Sequence, residues 1–222
     1  MTHFILASLS PRRRELLQLC GYPFDIITVP VDENSVTDPD PIQNCVQTAQ
    51  LKAKSLSDDL MVFPKPQSII IAADTIVSVD GQMLGKPGGT AEALHMLMLL
   101  RGRSHQVHTG VSVIDLESKR EVHGHHTAKV TMRSYSDQEI IDYIDTGDPL
   151  DKAGAYAIQH PQFQPVAQLE GCFLGVMGLS ICHLLQLLSQ MNVPMIANMT
   201  LLNAAHQCYH CPLFDKIAQK HS

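Results

Sequence analysis

The sequence predicts an α/β or α+β domain built on a central mixed sheet, and three observations carry this prediction. Short apolar segments alternate with helical patterns along the N-terminal half. Residues 68–74 form a continuous apolar run, which is typical of a central strand covered on both faces. Two longer strands near residues 107–116 and 122–133 predict a β-hairpin around residues 117–120. The combination of βα units with an antiparallel pair indicates a mixed sheet.

The N-terminal half supplies most of the predicted sheet. Residues 42–56 carry apolar residues at every third or fourth position, the spacing of an amphipathic helix. The pair Asp80-Gly81 is a favoured hairpin turn, so the long apolar strand should end there. In chain order we predict strand 4–8, helix 12–20, strand 25–29, helix 42–56, strand 68–79 and helix 91–100.

The C-terminal half is predicted to end in helices. Ser136 followed by Glu139 is a capping box, and Gly147 supplies the residue after the helix, so a helix should cover 137–146. A polar, glycine-containing segment at 149–159 leads to an apolar segment at 166–176. Further helices are expected over 179–191 and 200–206.

Composition excludes several classes of partner. Apolar residues make up 45% of the 222 residues and charged residues 17%, which is ordinary for a globular protein. The net charge of −6 provides no overall attraction to nucleic acid or anionic lipid. The only dense basic patch is Arg12–Arg14, which is too small for nucleic-acid binding. We therefore expect neither a nucleic-acid nor a membrane partner.

The cysteines and the N-terminus favour the cytoplasm. The N-terminal apolar run is too short for a signal segment, and its charges follow the run instead of preceding it. The six cysteines lack the spacing of a disulfide framework, so we expect them to be reduced and mostly buried. Cys208 and Cys211 with the neighbouring histidines resemble half of a zinc site, but no second pair of ligands is evident. Structural zinc is therefore not the favoured prediction.

The first segment with chemical information is the helix start around Ser10. Ser10 is a natural N-cap and Pro11 a natural first helical residue. Three arginines then occupy the first turn, where the helix dipole disfavours a cation by roughly 0.3–1 kcal/mol. An anion bound at the helix N-terminus would explain them. A solvated surface cluster explains this stretch equally well.

Two acidic residues follow predicted strands. Glu33 comes after the second strand, and Asp74 ends the most apolar strand of the chain. Open α/β sheets bind ligands at the carboxyl ends of their strands. Carboxylate oxygens suit Mg²⁺, and a positioned carboxylate can also take a proton from water. The alternative interpretations are a loop acid for Glu33 and a turn former for Asp74.

Lysines could complete a site for a polyanion. Lys52 lies on the helix after Glu33, Lys86 follows the hairpin, and Lys152 opens a glycine-containing segment. Each alone is more typical of a solvated surface lysine. Together with the arginines they could offset a charge near −4, as expected of a nucleoside triphosphate.

Six strings of this sequence resemble the Maf family of nucleotide pyrophosphatases, also called septum-formation inhibitors. They occur in the family's order and cover about residues 4–188. The strings are Ala7-Ser-Leu-Ser-Pro-Arg-Arg-Arg-Glu-Leu-Leu17, Val31-Asp-Glu33, Ala73-Asp-Thr75, Gly85-Lys-Pro87, Asp151-Lys-Ala-Gly-Ala-Tyr-Ala-Ile-Gln159 and Gly175-Val-Met-Gly-Leu179. The resemblance implies a Maf/inosine-triphosphatase-like α/β fold: a bent mixed sheet flanked by helices, with two lobes and a nucleotide cleft. It would span residues 1–191, followed by a helical tail at 192–222 of unknown role.

The resemblance also implies roles for individual residues. The general base falls on Asp74, and Glu33 joins Asp74 as a ligand of a divalent metal cation, Mg²⁺ or Mn²⁺. The phosphate contacts fall on Ser8, Arg13, Lys52 and Lys86. The residues linked to base selection fall on Arg12, Thr75 and Gln159. All three resemble the branch that acts on dTTP and UTP and differ from the branch that acts on 7-methyl-GTP. The segment 160–165, next to Gln159, departs from the family's glycine-rich turn.

The expected function is therefore hydrolysis of dTTP or UTP, or of modified nucleotides, to the monophosphate and pyrophosphate. Two rival functions remain open at this point. One is a nucleotide-binding regulator of cell division whose hydrolysis is incidental, and the other is a nucleotidyltransferase. The intact acids and lysines favour the hydrolase, since a pure sensor need not keep carboxylates beside a triphosphate. The expected partner is the nucleotide itself, and a homodimer is left open.

Overall fold

A computed structural model describes residues 2–60, 68–207 and 209–219. Within these residues, seven strands form one mixed sheet in the order β2-β1-β3-β5-β6-β7, and β4 pairs with β3 beside this path. The strands are β1 (His3–Leu6), β2 (Phe24–Ile26), β3 (Ser68–Val79), β4 (Gln82–Leu84), β5 (Ser104–Asp115), β6 (Glu121–Met132) and β7 (Val166–Glu170).

The sheet changes from parallel to antiparallel at β3. Strand β1 pairs in parallel with β2 on one side and with β3 on the other. The pairs β3–β5, β5–β6 and β6–β7 are all antiparallel. Strand β1 pairs with only the first four residues of β3, as far as Ile71. The second half of β3 therefore continues past the end of β1, with β5 on its other side.

Helices cover both faces of the sheet. They are α1 (Pro11–Gln18), α2 (Pro41–Leu60), α3 (Thr90–Leu100), α4 (Asp137–Asp145), α5 (Phe173–Met177), α6 (Ile181–Gln190), α7 (Met199–Ala205) and α8 (Pro212–Ala218). Helix α2 packs on one face, where Ala53 and Leu56 join a small apolar cluster with Ile70. The larger core on the other face includes residues of the other seven helices. Among the described residues, no helix is long and apolar enough to cross a membrane.

The mixed sheet flanked by helices confirms the predicted fold class. The Ser136–Glu139 capping box is present at the start of α4. Strand β2 is shorter than predicted and ends at Ile26.

One prediction for the C-terminal third needs correction. The apolar segment 166–176 is not one element, because Gly171, with φ of 125°, ends β7 before α5 begins. The expected helical tail contains the individually predicted helix α7 and a further helix, α8, which begins at Pro212. Cys208, which the sequence interpretation paired with Cys211, lies outside the described residues.

Candidate active site

A cleft of about 1220 Å³ opens where β1 ends and β3 continues. Its walls come from the start of α1, the loop after β2, the middle of α2 and β3, and the loop around Lys86. The cleft thus lies at the carboxyl end of β1, the position at which sheets of this kind bind ligands.

Three charged side chains meet on one wall of the cleft, and we call them the acid–lysine cluster. Lys52 Nζ lies 2.8 Å from Asp74 Oδ1 and 3.0 Å from Glu33 Oε2. The Asp74 and Lys52 side chains are only 15% and 13% exposed, whereas that of Glu33 is 56% exposed. The ammonium group of Lys52 thus pairs with both Glu33 and Asp74, although these two acids are far apart in the sequence.

The absence of a side chain at Gly110 brings α2 close enough to form this cluster. Gly110 lies directly opposite Asp74 in the β3–β5 ladder. A Cβ atom at Gly110 would lie only 2.4 Å from the backbone oxygen of Cys45 on α2, so any larger residue would push the helix away. Because α2 packs closely on the sheet, Lys52 reaches the carboxylate of Asp74. Lys52 lies two helical turns after Cys45.

Arg13 also lines the cleft, at the start of α1. Its Nε donates to the backbone oxygen of Gly178 at 2.9 Å, and its two Nη atoms lie 3.4 Å from Ser8 Oγ and from Thr75 Oγ1. Burial lowers the pKa of the Arg13 guanidinium and Asp74 opposes this shift, but arginine remains protonated in proteins. Ser10 accepts a hydrogen bond from the backbone N–H of Arg13, which confirms the predicted N-cap.

Thr75 connects the cleft to α5. Successive strand residues point to opposite faces, so Asp74 faces α2 while Thr75 faces the segment that includes Gly178. Thr75 Oγ1 lies 3.2 Å from Thr109 Oγ1, and Thr109 donates to the backbone oxygen of Gly175 at 2.8 Å. Sequence reasoning missed Thr109, because its role depends on pairing with β3 and no local motif marks it.

Of the remaining residues predicted for the site, two line the cleft and one does not. Arg12 and Lys86 line the cleft, Arg12 half-buried and Lys86 exposed. Gln159 is not among the lining residues, and its buried Oε1 has no hydrogen-bond partner within the described part of the chain. Lys152, which the sequence singled out without a role, also lines the cleft. It is buried and pairs with Asp148 at 2.8 Å.

The donor atoms of the cleft suit a hard divalent cation. Glu33 and Asp74 offer carboxylate oxygens within reach of one ammonium group, so the two carboxylates lie close together. Mg²⁺ is commonly bound by one or two carboxylates together with substrate phosphates. The residues present therefore fit Mg²⁺ or Mn²⁺.

Comparison with known proteins places this arrangement in a family. The profile of Maf-like proteins matches residues 3–191. A dTTP/UTP pyrophosphatase of Caldanaerobacter subterraneus subsp. tengcongensis is 42% identical over 185 residues, which cover 83% of this chain and 87% of the relative. A dTTP/UTP pyrophosphatase of Symbiobacterium thermophilum is 41% identical over 194 residues, covering 87% and 96%. Among solved structures, the Staphylococcus aureus Ham1 protein matches with a TM-score of 0.42 and 16% identity, over 59% of this chain and 72% of that one. The chain belongs to the Maf-like protein family.

Proposed function

We propose that this protein hydrolyses dTTP and UTP to the monophosphate and pyrophosphate in the cleft between α1 and α2. The observation that carries the proposal is the acid–lysine cluster in the same cleft as Arg13. The relatives that match over most of their length are named for this activity, which supports the same substrate class here.

The wall around α1 would bind the phosphates. The first backbone N–H groups of a helix lack intrahelical acceptors and, with the helix dipole, attract anions. Ser8 and Arg13 lie beside this helix start, and Lys52 and Lys86 line the same cleft. Three cationic side chains would then surround a group with a charge near −4, and they would stabilise the charge that develops on its oxygens during cleavage.

Glu33 and Asp74 would hold Mg²⁺ or Mn²⁺ together with phosphate oxygens. When bound, the ion would supply positive charge at the phosphate oxygens. Lys52 already pairs with both carboxylates, and it would then turn toward the substrate.

Asp74 is the proposed general base. It lies half-buried in the cleft, where its Oδ1 accepts a hydrogen bond from Lys52 at 2.8 Å in this structure. Asp74 would accept a proton from a water molecule that attacks the α-phosphorus. The bond to the bridging oxygen then breaks, and pyrophosphate leaves.

Arg12, Thr75 and Gln159 are the proposed determinants of base choice. The amide of Gln159 can accept from the ring N3–H of uracil or thymine and donate to a neighbouring carbonyl. Its Oε1 is buried without a partner in the described residues, a state that costs about 1–3 kcal/mol and that this pairing would relieve. Because Gln159 does not line the cleft, the proposal requires the base to reach past the lining residues.

The test is pyrophosphate release from dTTP, UTP, CTP and 7-methyl-GTP, each with Mg²⁺ and with Mn²⁺. We expect dTTP and UTP to have the highest kcat/KM. Cytosine lacks N3–H and should be rejected, because hydrogen-bonding sites can reach discrimination of about 10⁴. If CTP or 7-methyl-GTP is the best of the four, the substrate assignment is wrong. If none releases pyrophosphate, the reaction itself is wrong.

We also propose a reducing compartment, the cytoplasm, for this protein. The cysteines of the described residues are unpaired and buried. Persistent free thiols are typical of proteins kept in reducing surroundings.

A further inference from the structure

Four metal-binding side chains converge in the core, away from the cleft lining. They are Cys172, Cys182, His206 and Cys211, and we call them the sulfur cluster. Their potential ligand atoms all lie within 4.8 Å of one another. All four residues are buried, with exposures of 0%, 0%, 1% and 4%. They are separated by 9, 23 and 4 residues along the chain, so no local motif reveals them.

The distances in the sulfur cluster fit a tetrahedron around one zinc ion. Bonds of about 2.3 Å to sulfur and about 2.0 Å to nitrogen place sulfur about 3.8 Å from sulfur and about 3.6 Å from nitrogen. Cys182 Sγ lies 3.9 Å from Cys211 Sγ. His206 Nε2 lies 3.6 Å from both Cys172 Sγ and Cys182 Sγ. These three separations match the tetrahedral values, and the other pairs of ligand atoms lie within 4.8 Å.

Hydrogen bonds around the sulfur cluster orient its ligands. His206 Nδ1 lies 2.8 Å from the backbone oxygen of Leu202, so Nδ1 carries the proton and Nε2 presents its lone pair to the sulfurs. This bond to the second ring nitrogen is the usual support of a metal-binding histidine. Ser180 Oγ donates to Cys172 Sγ at 3.3 Å, which stabilises a thiolate at that sulfur.

A disulfide and ordinary core packing both fit the sulfur cluster less well than a metal ion does. A disulfide requires an S–S distance of about 2.05 Å, much shorter than the 3.9 Å between Cys182 and Cys211. Buried cysteines can also act as small apolar residues, as Cys20 does within the core. That role does not explain why three thiols surround the unprotonated Nε2 of His206, a residue that is only 1% exposed.

We propose that Cys172, Cys182, His206 and Cys211 bind a structural zinc ion. Thiolate and imidazole ligands select Zn²⁺ over Mg²⁺ or Mn²⁺, and four protein ligands leave no position for a substrate. On binding, each of the three thiols releases one proton to solvent. The sequence offered no second pair of ligands near Cys211, because Cys172 and Cys182 lie within residues 3–191, far from Cys211 in the sequence.

The zinc ion would attach the C-terminal tail, residues 192–219, to the rest of the protein. The family match ends at residue 191, so Cys172 and Cys182 come from the matched region and His206 and Cys211 from the tail. The tail also packs beside the site, where Tyr209 stacks on Phe173 with ring centroids 5.2 Å apart. The sulfur cluster thus adds a joint between two parts of the chain that also meet elsewhere, for example where the Tyr22 hydroxyl donates to the Pro194 backbone oxygen.

Zinc content tests the proposal without reference to hydrolysis. We would express the full chain without a polyhistidine tag and measure metals by mass spectrometry after removing loosely bound ions. About one zinc per chain is expected, and the cobalt-substituted protein should show the visible absorption of tetrahedral cobalt with thiolate ligands. Cys182→Ser and Cys211→Ser should each lose most of the zinc, whereas Cys20→Ser, also fully buried, should keep it.

A second variant separates loss of the ligand from loss of the fold. Cys211→His replaces one zinc ligand by another and should retain much more zinc than Cys211→Ser. A parent protein that contains no zinc, even after refolding with it, overturns the proposal. So does an intact mass about 2 Da below the reduced value, which would show a disulfide. Equal zinc in the parent and in the Cys182→Ser and Cys211→Ser variants would also overturn it.

Discussion

The cleft and the sulfur cluster both gather side chains that bind cations, but they do so with opposite chemistry. The cleft presents hard carboxylate oxygens and is open to solvent, with Glu33 more than half exposed. The sulfur cluster presents thiols and one imidazole, and all four of its residues are buried. A solvent-exposed metal site with few protein ligands leaves positions for substrate, whereas a buried site with four protein ligands is typical of a structural metal. Within one chain, the cleft is therefore the proposed site of hydrolysis and the sulfur cluster the proposed structural site.

Replacing Asp74 should produce the largest effect on the cleft and none on the sulfur cluster. Asp74→Asn keeps the size of the side chain but removes its charge and basicity, so kcat should fall at least ~100-fold. Zinc content and the thermal midpoint should stay close to those of the parent. The matched control is Asp58→Asn, because Asp58 is an exposed acid on α2, the helix that carries Lys52. This variant should retain activity. Hydrolysis by Asp74→Asn near the parent rate would exclude Asp74 as the base.

Replacing Arg13 should change the kinetics less than replacing Asp74 does. Arg13 also contacts the segment between the cleft and the sulfur cluster. Arg13 donates to Gly178 O just after α5, the helix that begins next to Cys172. Loss of its charge-assisted contacts to phosphate should raise KM by about 10- to 100-fold in Arg13→Ala. Steady-state kinetics with dTTP would measure this change. Arg14→Ala, at the exposed neighbouring residue, should leave KM unchanged. An unaltered KM together with lower stability in Arg13→Ala would show that Arg13 is only structural.

The sequence predicted the cleft far better than the sulfur cluster, for a physical reason. Asp74 and Arg13 lie in short strings that can be interpreted by themselves, although Asp74 lies in the middle of β3 and not at a strand end as the sequence suggested. Cys172 and His206 carry no local pattern, because only the packing of α5 and α6 against the tail brings them together. The same limit applies to Thr109 and Gly110, whose importance comes from pairing with β3.

A further effect, on stability and not on hydrolysis, concerns a buried histidine that belongs to neither region. Burial lowers the pKa of His105 to about 4, and its Nε2 lies 2.8 Å from the hydroxyl of Tyr156. Between about pH 6.5 and pH 4 the unfolded chain takes up this proton and the folded chain does not, so stability is present above pH 6.5 and is lost as the pH falls. The contribution is about 3 kcal/mol at most, from about 1.4 kcal/mol per pH unit.

Urea unfolding at pH 7 and pH 4.5 measures this contribution. His105→Gln should show a shallower loss of unfolding free energy on acidification than the parent. His95→Gln, at an exposed histidine on α3, should follow the parent. Identical pH dependence in His105→Gln and the parent would contradict the assignment.

The position of the oxygen delivered by water tests the proposed hydrolysis more directly than any variant does. Hydrolysis of dTTP in ¹⁸O-labelled water should place the label in the monophosphate, because the proposed attack by water near Asp74 occurs at the α-phosphorus. Mass spectrometry of both products after a single turnover measures where the label goes. We predict labelled dTMP and unlabelled pyrophosphate. Label in the pyrophosphate, or release of a diphosphate with inorganic phosphate, would contradict the proposed reaction.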